Sequence, residues 1–245
     1  MNRPERANAL DTLMANELER LFRTLGQSAT SEGPRCVVLT GAGERAFCAG
    51  ADLKERRGMD DAAWTAQHRA FEAALAALLD CPLPCVAAVN GAAFGGGLEL
   101  ALACDFAYGS SAARFALTET TLGIISGLGG TQNLPRAAGS RRAKELIFTG
   151  APFGAPDALA WGVLNRVVAP NELLDAAHET AHAIAANAPL AVREAKRVVD
   201  AGAARPLREA LEVELDGHYR TMASADRREG IAAFNEKRPP RFAGE

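Results

Sequence analysis

Two glutamates, Glu99 and Glu119, have the residue type and the spacing that point to chemistry. Glu99 is the single charge in the apolar decamer FGGGLELALA, residues 94–103, where it closely follows three consecutive glycines. Buried carboxylates are uncommon unless they are paired or functional. Glu119 lies twenty residues later in the segment FALTE, ahead of the glycine-rich stretch GLGG at residues 127–130. Taken alone, the polar sequence around Glu119 is also typical of a turn or a helix cap.

The glycines before Glu99 predict a close approach of the backbone to a ligand, because glycine has no Cβ. The leucine- and alanine-rich stretch after them predicts a helix whose first free N–H groups point back at that ligand. Such a helix start is a site for negative charge. Two carboxyl groups beside a backbone anion site indicate acid/base chemistry on a carbonyl compound.

The composition is that of an ordinary globular protein. With 245 residues, 48% of them hydrophobic, the chain fits one large domain or one domain with an appendage. The 27 basic and 30 acidic residues give a net charge of -3, so we expect no general attraction to nucleic acid or to a membrane surface. No segment resembles a signal peptide or a membrane span.

The cysteines show no zinc-binding spacing, so we expect no metal site and interpret them as reduced thiols of a cytoplasmic protein. They are Cys36, Cys48, Cys81, Cys85 and Cys104. The four histidines lie in predicted helices among charged residues, and we interpret them as surface residues. Because no Ser/His/Asp arrangement stands out, a triad hydrolase is not favoured.

Hydrophobic periodicity predicts an alternation of helices and strands followed by a mainly helical part. Asn8 is predicted to cap a helix that ends at Gly26. Further helices are predicted over 60–80, 141–148, 157–161, 172–186, 190–201 and 207–222, and strands over 36–40, 85–89 and 163–168. The order predicts an α/β core followed by a helical C-terminal region.

The segment GAGERA, residues 41–46, superficially matches the dinucleotide-binding fingerprint. A helix should begin inside that motif, whereas the chain continues into a stretch of small and turn-forming residues. We therefore interpret it as a strand-to-loop turn and do not expect a nicotinamide or flavin cofactor.

Motifs along nearly the whole chain resemble those of the crotonase superfamily of enoyl-CoA hydratases and isomerases. The matching segments are NRPE (2–5), NAL (8–10), AFCAGADLK (46–54), AVNG (88–91), GGGLELALACD (95–105), GGTQ (129–132) and EKRPP (236–240). The resemblance implies an α/β fold with a crotonase-like spiral of ββα units over residues 1–188. It also implies a helical trimerisation region over residues 189–245. By the same comparison, an N-terminal strand or hairpin is missing from the start of this sequence.

Carried over position by position, the resemblance implies that the backbone N–H groups of Ala51 and Gly96 form an oxyanion hole. Glu99 and Glu119 would be the catalytic acid/base pair, with Glu99 activating water and Glu119 serving Cα. The implied CoA-binding residues are Ala49, Ala51, Leu53, Lys54, Phe234 and Lys237. A CoA thioester would be the substrate, with no permanently bound cofactor.

The resemblance thus implies an enoyl-CoA hydratase, a lyase that adds water across the 2,3 double bond, as in the β-oxidation of fatty acids. The closest motifs are those of the methylglutaconyl-CoA hydratases of leucine degradation, which is an alternative activity. An enoyl-CoA isomerase is a second alternative, but isomerases commonly use only the acid at the Glu119 position, so two acids favour a hydratase.

Two alternatives belong to other functional classes. Some relatives bind AU-rich RNA through lysines on the first helix, but residues 8–26 contain no lysine, so we expect no nucleic-acid partner. A catalytically silent CoA-binding protein is disfavoured by the presence of both glutamates.

The resemblance also implies assembly of the chain into a trimer or a dimer of trimers. Apolar residues in the C-terminal region favour such an assembly, since they would otherwise face solvent. They are Leu207, Leu211, Leu215, Ile231 and Phe234. Departures from the family pattern are Ser126, where many members have proline, and Ala116 with Thr118 before Glu119. They bear on the shape of the acyl pocket and the orientation of Glu119.

Overall fold

A computed structural model describes residues 1–28 and 33–245 of the chain. The chain divides into two compact units. The first comprises Met1–Arg23, Val38–Asp80 and Cys85–His178, and the second comprises Thr24–Val37, Cys81–Pro84 and Glu179–Glu245. The predicted boundary after residue 188 therefore falls inside the second unit.

The strands, in chain order, are β1 (Val37–Thr40), β2 (Ala46–Cys48), β3 (Cys85–Val89), β4 (Ala92–Phe94), β5 (Phe106–Ser110), β6 (Arg114–Ala116), β7 (Phe153–Gly154) and β8 (Arg166–Val168). The helices are α1 (Thr12–Gln27), α2 (Asp61–Leu79), α3 (Gly96–Ala103), α4 (Gly130–Ala138), α5 (Ser140–Thr149), α6 (Ala155–Ala160), α7 (Leu173–Ala185), α8 (Pro189–Gly202), α9 (Leu207–Met222) and α10 (Ala225–Glu236).

The strands form two four-stranded sheets, ordered β1-β3-β5-β8 and β2-β4-β6-β7. Strands β3, β5 and β8 are parallel, as are β2, β4 and β6, while β7 pairs antiparallel with β6. From β1 to β6 the chain alternates between the sheets, and a helix follows the pairs β1–β2 and β3–β4. This repeated strand–strand–helix order is the predicted spiral of ββα units.

Helix α3 lies in the core of the first unit, and six of its eight residues are buried. A helix that is apolar on all sides is expected to be buried in this way. Gly97 allows its close contact with β2, because a Cβ at Gly97 would lie 2.0 Å from the carbonyl oxygen of Cys48. The close approach fixes the start of α3, and therefore the position of Glu99, against the end of β2.

The predicted helix cap at Asn8 is wrong. Asn8 is fully buried in the left-handed region (φ 53°), and its amide donates to the carbonyl oxygens of Ala42 and Ala46. The carboxylate of Asp11 instead accepts a hydrogen bond from the N–H of Met14 at the start of α1. Asn8 therefore connects the N-terminal segment to the loop before β2.

The second unit contains α8, α9 and α10. Gly217 of α9 packs closely on Val198 of α8, and Arg197 forms ion pairs with Glu194 and Asp216. Helix α9 exposes apolar side chains at four-residue spacing, which places them on one face. They are Leu207, Leu211, Leu215 and Tyr219.

Most other predicted helices and strands begin and end within a few residues of their limits in the structure. Helix α9 has the predicted limits. Helices α4 and α10 and the strands β2, β4, β5, β6 and β7 were not predicted as individual elements. The GAGERA segment is followed by β2 and not by a helix, so it lacks the local structure of a dinucleotide-binding turn. None of the five cysteines forms a disulfide bond, and no described helix is long and apolar enough to cross a membrane.

Candidate active site

Both predicted catalytic glutamates line one cavity of about 500 Å³ in the first unit. Four of the other predicted site residues line the same cavity, so the structure brings together the core of the predicted site. They are Ala49, Ala51, Leu53 and Gly96.

Glu99 lies in the first turn of α3 and is only 2% exposed. Its Oε1 accepts hydrogen bonds from the backbone N–H groups of Leu128 (2.7 Å) and Gly130 (2.8 Å). Burial raises the pKa of Glu99 to about 7; the two hydrogen bonds oppose this shift and the charge of Glu119 adds to it. A carboxyl group with a pKa near 7 can both take up and release a proton at neutral pH.

Glu119 begins a single 3-10 turn, Glu119–Leu122, after the end of β6. Its Oε2 is buried and has no hydrogen-bond partner. Gly95 lies directly against it: a Cβ there would be 2.8 Å from Glu119 Oε1, and the φ of 50° also favours glycine. Burial raises the pKa of Glu119, while its own backbone N–H and the nearby Ser126 hydroxyl act in the opposite direction.

Ser126 is a third polar group of the cavity wall and is 5% exposed. Its hydroxyl lies near enough to Glu119 to favour the ionised carboxylate, yet Ser126 Oγ makes no hydrogen bond of regular geometry. Leaving a buried polar group unpaired typically costs about 1–3 kcal/mol. Ser126 Oγ and Glu119 Oε2 are thus two buried polar atoms, on residues of one cavity wall, without a hydrogen bond of regular geometry.

The predicted oxyanion-hole residues, Ala51 and Gly96, lie close together. A Cβ at Gly96 would be 4.0 Å from the backbone nitrogen of Ala51. Within the described residues, neither N–H donates a hydrogen bond to another residue. Gly50 allows this approach with a φ of 90°, since a Cβ there would lie 2.8 Å from the carbonyl oxygen of Phe94. The cavity thus contains two free backbone donors near its two carboxyl groups.

Comparisons with known proteins show which family the chain belongs to. The family model for enoyl-CoA hydratase/isomerase matches residues 1–245. The chain belongs to the enoyl-CoA hydratase/isomerase family. It is 45% identical to the Bacillus subtilis protein YngF over 245 residues, 100% of this chain and 93% of that protein.

Two further members of the enoyl-CoA hydratase/isomerase family bear on the fold and the reaction. A crystal structure of an enoyl-CoA hydratase from Bacillus anthracis has a TM-score of 0.95 and 44% identity, covering 99% of this chain and 93% of that one. Methylglutaconyl-CoA hydratase from rat mitochondria is 38% identical over 244 residues, 98% of this chain and 78% of that protein. The predicted crotonase-type fold is thereby confirmed.

The cavity residues that were not predicted as site residues include Arg56, Trp64, His68 and Phe71. The last three follow one another at helical spacing on α2, so their shared face was visible in the sequence. His68 was interpreted as a surface residue, but its ring packs against Gly127, where a Cβ would lie 2.6 Å from His68 Cε1. Nothing in the local sequence distinguishes Arg56 from the surface arginine that follows it.

The remaining predicted CoA-binding residues do not line this cavity. Lys54 is exposed in the turn after Asp52, whose carboxylate accepts a hydrogen bond from the Lys54 N–H. Phe234 and Lys237 belong to the second unit, where Phe234 is 83% exposed and Lys237 ends α10. Their contact with CoA stays a prediction.

Proposed function

We propose that this protein is an enoyl-CoA hydratase that adds water across the 2,3 double bond of a 2-enoyl-CoA thioester. The observation that carries the proposal is the pair Glu99 and Glu119 in one cavity, with Glu119 Oε2 and Ser126 Oγ buried and unpaired. A water molecule held between the Glu99 and Glu119 carboxyl groups would exchange hydrogen bonds with both of them. That water is the second substrate of a hydration.

Glu99 is suited to orient and deprotonate the water. Its Oε1 is occupied by two backbone N–H groups, so its Oε2 is the oxygen left for exchange with the water. As the water oxygen bonds to Cβ, its proton passes to Glu99 and the π electrons move to the thioester oxygen. The transition state therefore gathers negative charge on that oxygen.

The N–H groups of Ala51 and Gly96 would stabilise this negative charge. They are free of other partners and cannot titrate, and the second begins α3, where the helix dipole favours negative charge. The loss of one such donor typically lowers kcat by about a hundredfold to a thousandfold.

Glu119 would complete the addition by giving its proton to Cα as the enolate collapses. The product is a 3-hydroxyacyl-CoA, with one proton on Glu99 and a charge on Glu119. Exchange of protons with solvent restores the starting state. The raised pKa of Glu119 fits this role, because burial favours its protonated form.

The CoA portion would pass Ala49, Ala51 and Leu53, with Lys54, Phe234 and Lys237 as further contacts. Two acyl groups are candidates: a short unbranched chain of fatty-acid β-oxidation, and methylglutaconyl, named for the rat relative, from leucine degradation. We further propose a cytoplasmic trimer or dimer of trimers, since the apolar face of α9 is exposed in the single chain.

The test is to incubate the purified protein with short 2-enoyl-CoA thioesters such as crotonyl-CoA. Hydration removes the absorbance of the conjugated thioester and adds the mass of one water. Glu99→Gln should lower this activity by about two to four orders of magnitude. If the protein instead converts 3-enoyl-CoA to 2-enoyl-CoA, and Glu99→Gln retains that reaction, the isomerase alternative replaces the hydratase.

A further inference from the structure

Arg56 lies in the wall of the cavity and is stacked on aromatic rings. Its guanidinium carbon is 3.9 Å from the ring centre of Trp64 and 5.4 Å from that of Phe71. Its Nε donates to Gln67 Oε1 at 2.8 Å. The buried Gln67 amide group is in turn fixed by Thr12 and Glu55, so the plane of the guanidinium is held from two sides.

The two terminal nitrogens of Arg56 are not used by the protein. Among the described residues they make no hydrogen bond and no ion pair with an acidic side chain. Glu55 is the nearby acid, but its carboxylate accepts hydrogen bonds from Thr12 and Gln67. Arginine remains charged at neutral pH, and its planar fork matches a carboxylate with two parallel hydrogen bonds.

The wall that carries Arg56 adjoins the catalytic acids. Trp64, His68 and Phe71 line the cavity from α2, and the His68 ring packs against Gly127. The next residue, Leu128, donates its N–H to Glu99. A short acyl chain with its reacting carbons at Glu99 would therefore direct its far end toward this aromatic and cationic wall.

We propose that Arg56 is a specificity-determining residue that binds a carboxylate at the far end of the acyl chain. The substrate class is then a short 2-enoyl-CoA whose acyl group is a dicarboxylic acid. The proposal rests on the hydratase function, because it places the reacting carbons between Glu99 and Glu119. The rings of Trp64 and Phe71 pack against the guanidinium, and the bond from its Nε to Gln67 leaves both terminal nitrogens free for a ligand.

A phosphate of CoA has the same chemistry as a partner for Arg56, so the test must separate the two anions. Two substrates of matched shape do so: 4-carboxybut-2-enoyl-CoA and 5-methylhex-2-enoyl-CoA, in which an isopropyl group replaces the carboxylate. The variant Arg56→Met is compared with Arg57→Met, which removes the neighbouring exposed arginine outside the cavity wall.

We expect the wild-type protein to prefer the carboxylated substrate, and Arg56→Met to lower kcat/KM for that substrate by about 10- to 100-fold. The same variant should change kcat/KM for the isopropyl substrate by less than about threefold. Arg57→Met should leave both values unchanged. Arg56→Lys should recover part of the preference, because it restores the charge without the planar fork.

Binding of the saturated analogues 4-carboxybutanoyl-CoA and 5-methylhexanoyl-CoA, measured by calorimetry, gives a readout that does not need turnover. Equal losses for both ligands, with weaker binding of CoA itself, would assign Arg56 to a phosphate and overturn the proposal. Equal losses with unchanged CoA binding would assign it a structural role, which also overturns it. If no enoyl-CoA is hydrated yet the carboxylated analogue still binds through Arg56, only the proposed reaction fails.

Discussion

The two carboxyl groups proposed as catalytic, those of Glu99 and Glu119, are held in contrasting ways. Glu99 lies on a regular helix, and two backbone N–H groups from a segment 29 and 31 residues away fix one of its oxygens. Glu119 lies on a single 3-10 turn, and its Oε2 has no partner. Backbone hydrogen bonds therefore orient Glu99, whereas none is made to Glu119 Oε2.

This difference bears on how the pair can work. Because Glu99 Oε1 must accept two hydrogen bonds, a proton on Glu99 is directed to Oε2, which is free to exchange it with water. Fewer contacts orient the Glu119 carboxyl group, because its Oε2 has no hydrogen-bond partner. A negative charge on one carboxyl group makes ionisation of the other less favourable, so the two groups titrate as a pair.

The largest expected effect comes from neutralising either acid. Glu99→Gln and Glu119→Gln should each lower kcat for a short enoyl-CoA by about two to four orders of magnitude, the usual contribution of a positioned acid or base. Steady-state hydration rates measure this. The double variant should be little slower than the slower single variant, because groups that act as a unit fail together.

Binding of CoA is the control for these variants, since neither carboxyl group is expected to touch the nucleotide. Glu145→Gln, an exposed helical glutamate, should leave kcat unchanged. Additive losses in the double variant would contradict a shared water and would indicate two independent roles.

Sequence reasoning predicted Glu99 and its helix because a lone carboxylate in an apolar run after glycines is a local signal. The spiral order of the strands and the role of Glu119 came from the family resemblance. The donors from Leu128 and Gly130 were not predicted, because contacts between distant segments leave no local pattern. Asn8 was misassigned for a related reason: its side chain binds a distant loop where local spacing suggested a helix cap.

A second test uses the effect of pH on stability. The pKa of Glu99 is about 7 in the folded protein, above its ordinary value of 4.5. Between these values the folded protein retains a proton that the unfolded chain has released, so Glu99 lowers stability as the pH rises from 4.5 through 7. Glu99→Gln removes this ionisable group. The free energy of unfolding of the variant, relative to that of the wild type, should therefore be greater at pH 8 than at pH 5 by up to about 3 kcal/mol.

Urea unfolding of the wild type and of Glu99→Gln at both pH values measures this difference. Glutamine is a suitable replacement because its side-chain oxygen can still accept the two backbone hydrogen bonds. Glu119→Gln should show a change of the same sign. Equal pH dependence in the wild type and Glu99→Gln would mean that Glu99 is ionised throughout, and the contrast between the two acids would need revision.

A third pair of variants displaces each acid without changing its charge. A Cβ at Gly95 would lie 2.8 Å from Glu119 Oε1, and a Cβ at Gly130 would lie 3.0 Å from Glu99 Oε1. Gly95→Ala and Gly130→Ala should each lower kcat by about 10- to 100-fold, the usual cost of a misplacement near 1 Å. Gly95→Ala should also lower the melting temperature, because its φ of 50° strains alanine.

The smallest effect is expected from Ser126→Ala, and it should have opposite signs for rate and for stability. The buried Ser126 hydroxyl lacks a partner, so its removal should stabilise the ligand-free protein by about 1 kcal/mol. If that hydroxyl helps to hold the water beside Glu119, kcat should fall by about three- to tenfold. Ser110→Ala is the matched control, because Ser110 is also buried but accepts a hydrogen bond from the N–H of Ala112. It should lower the melting temperature and leave kcat unchanged. A Ser126→Ala protein that is less stable and equally active would show that the hydroxyl has a structural partner and takes no part in holding water.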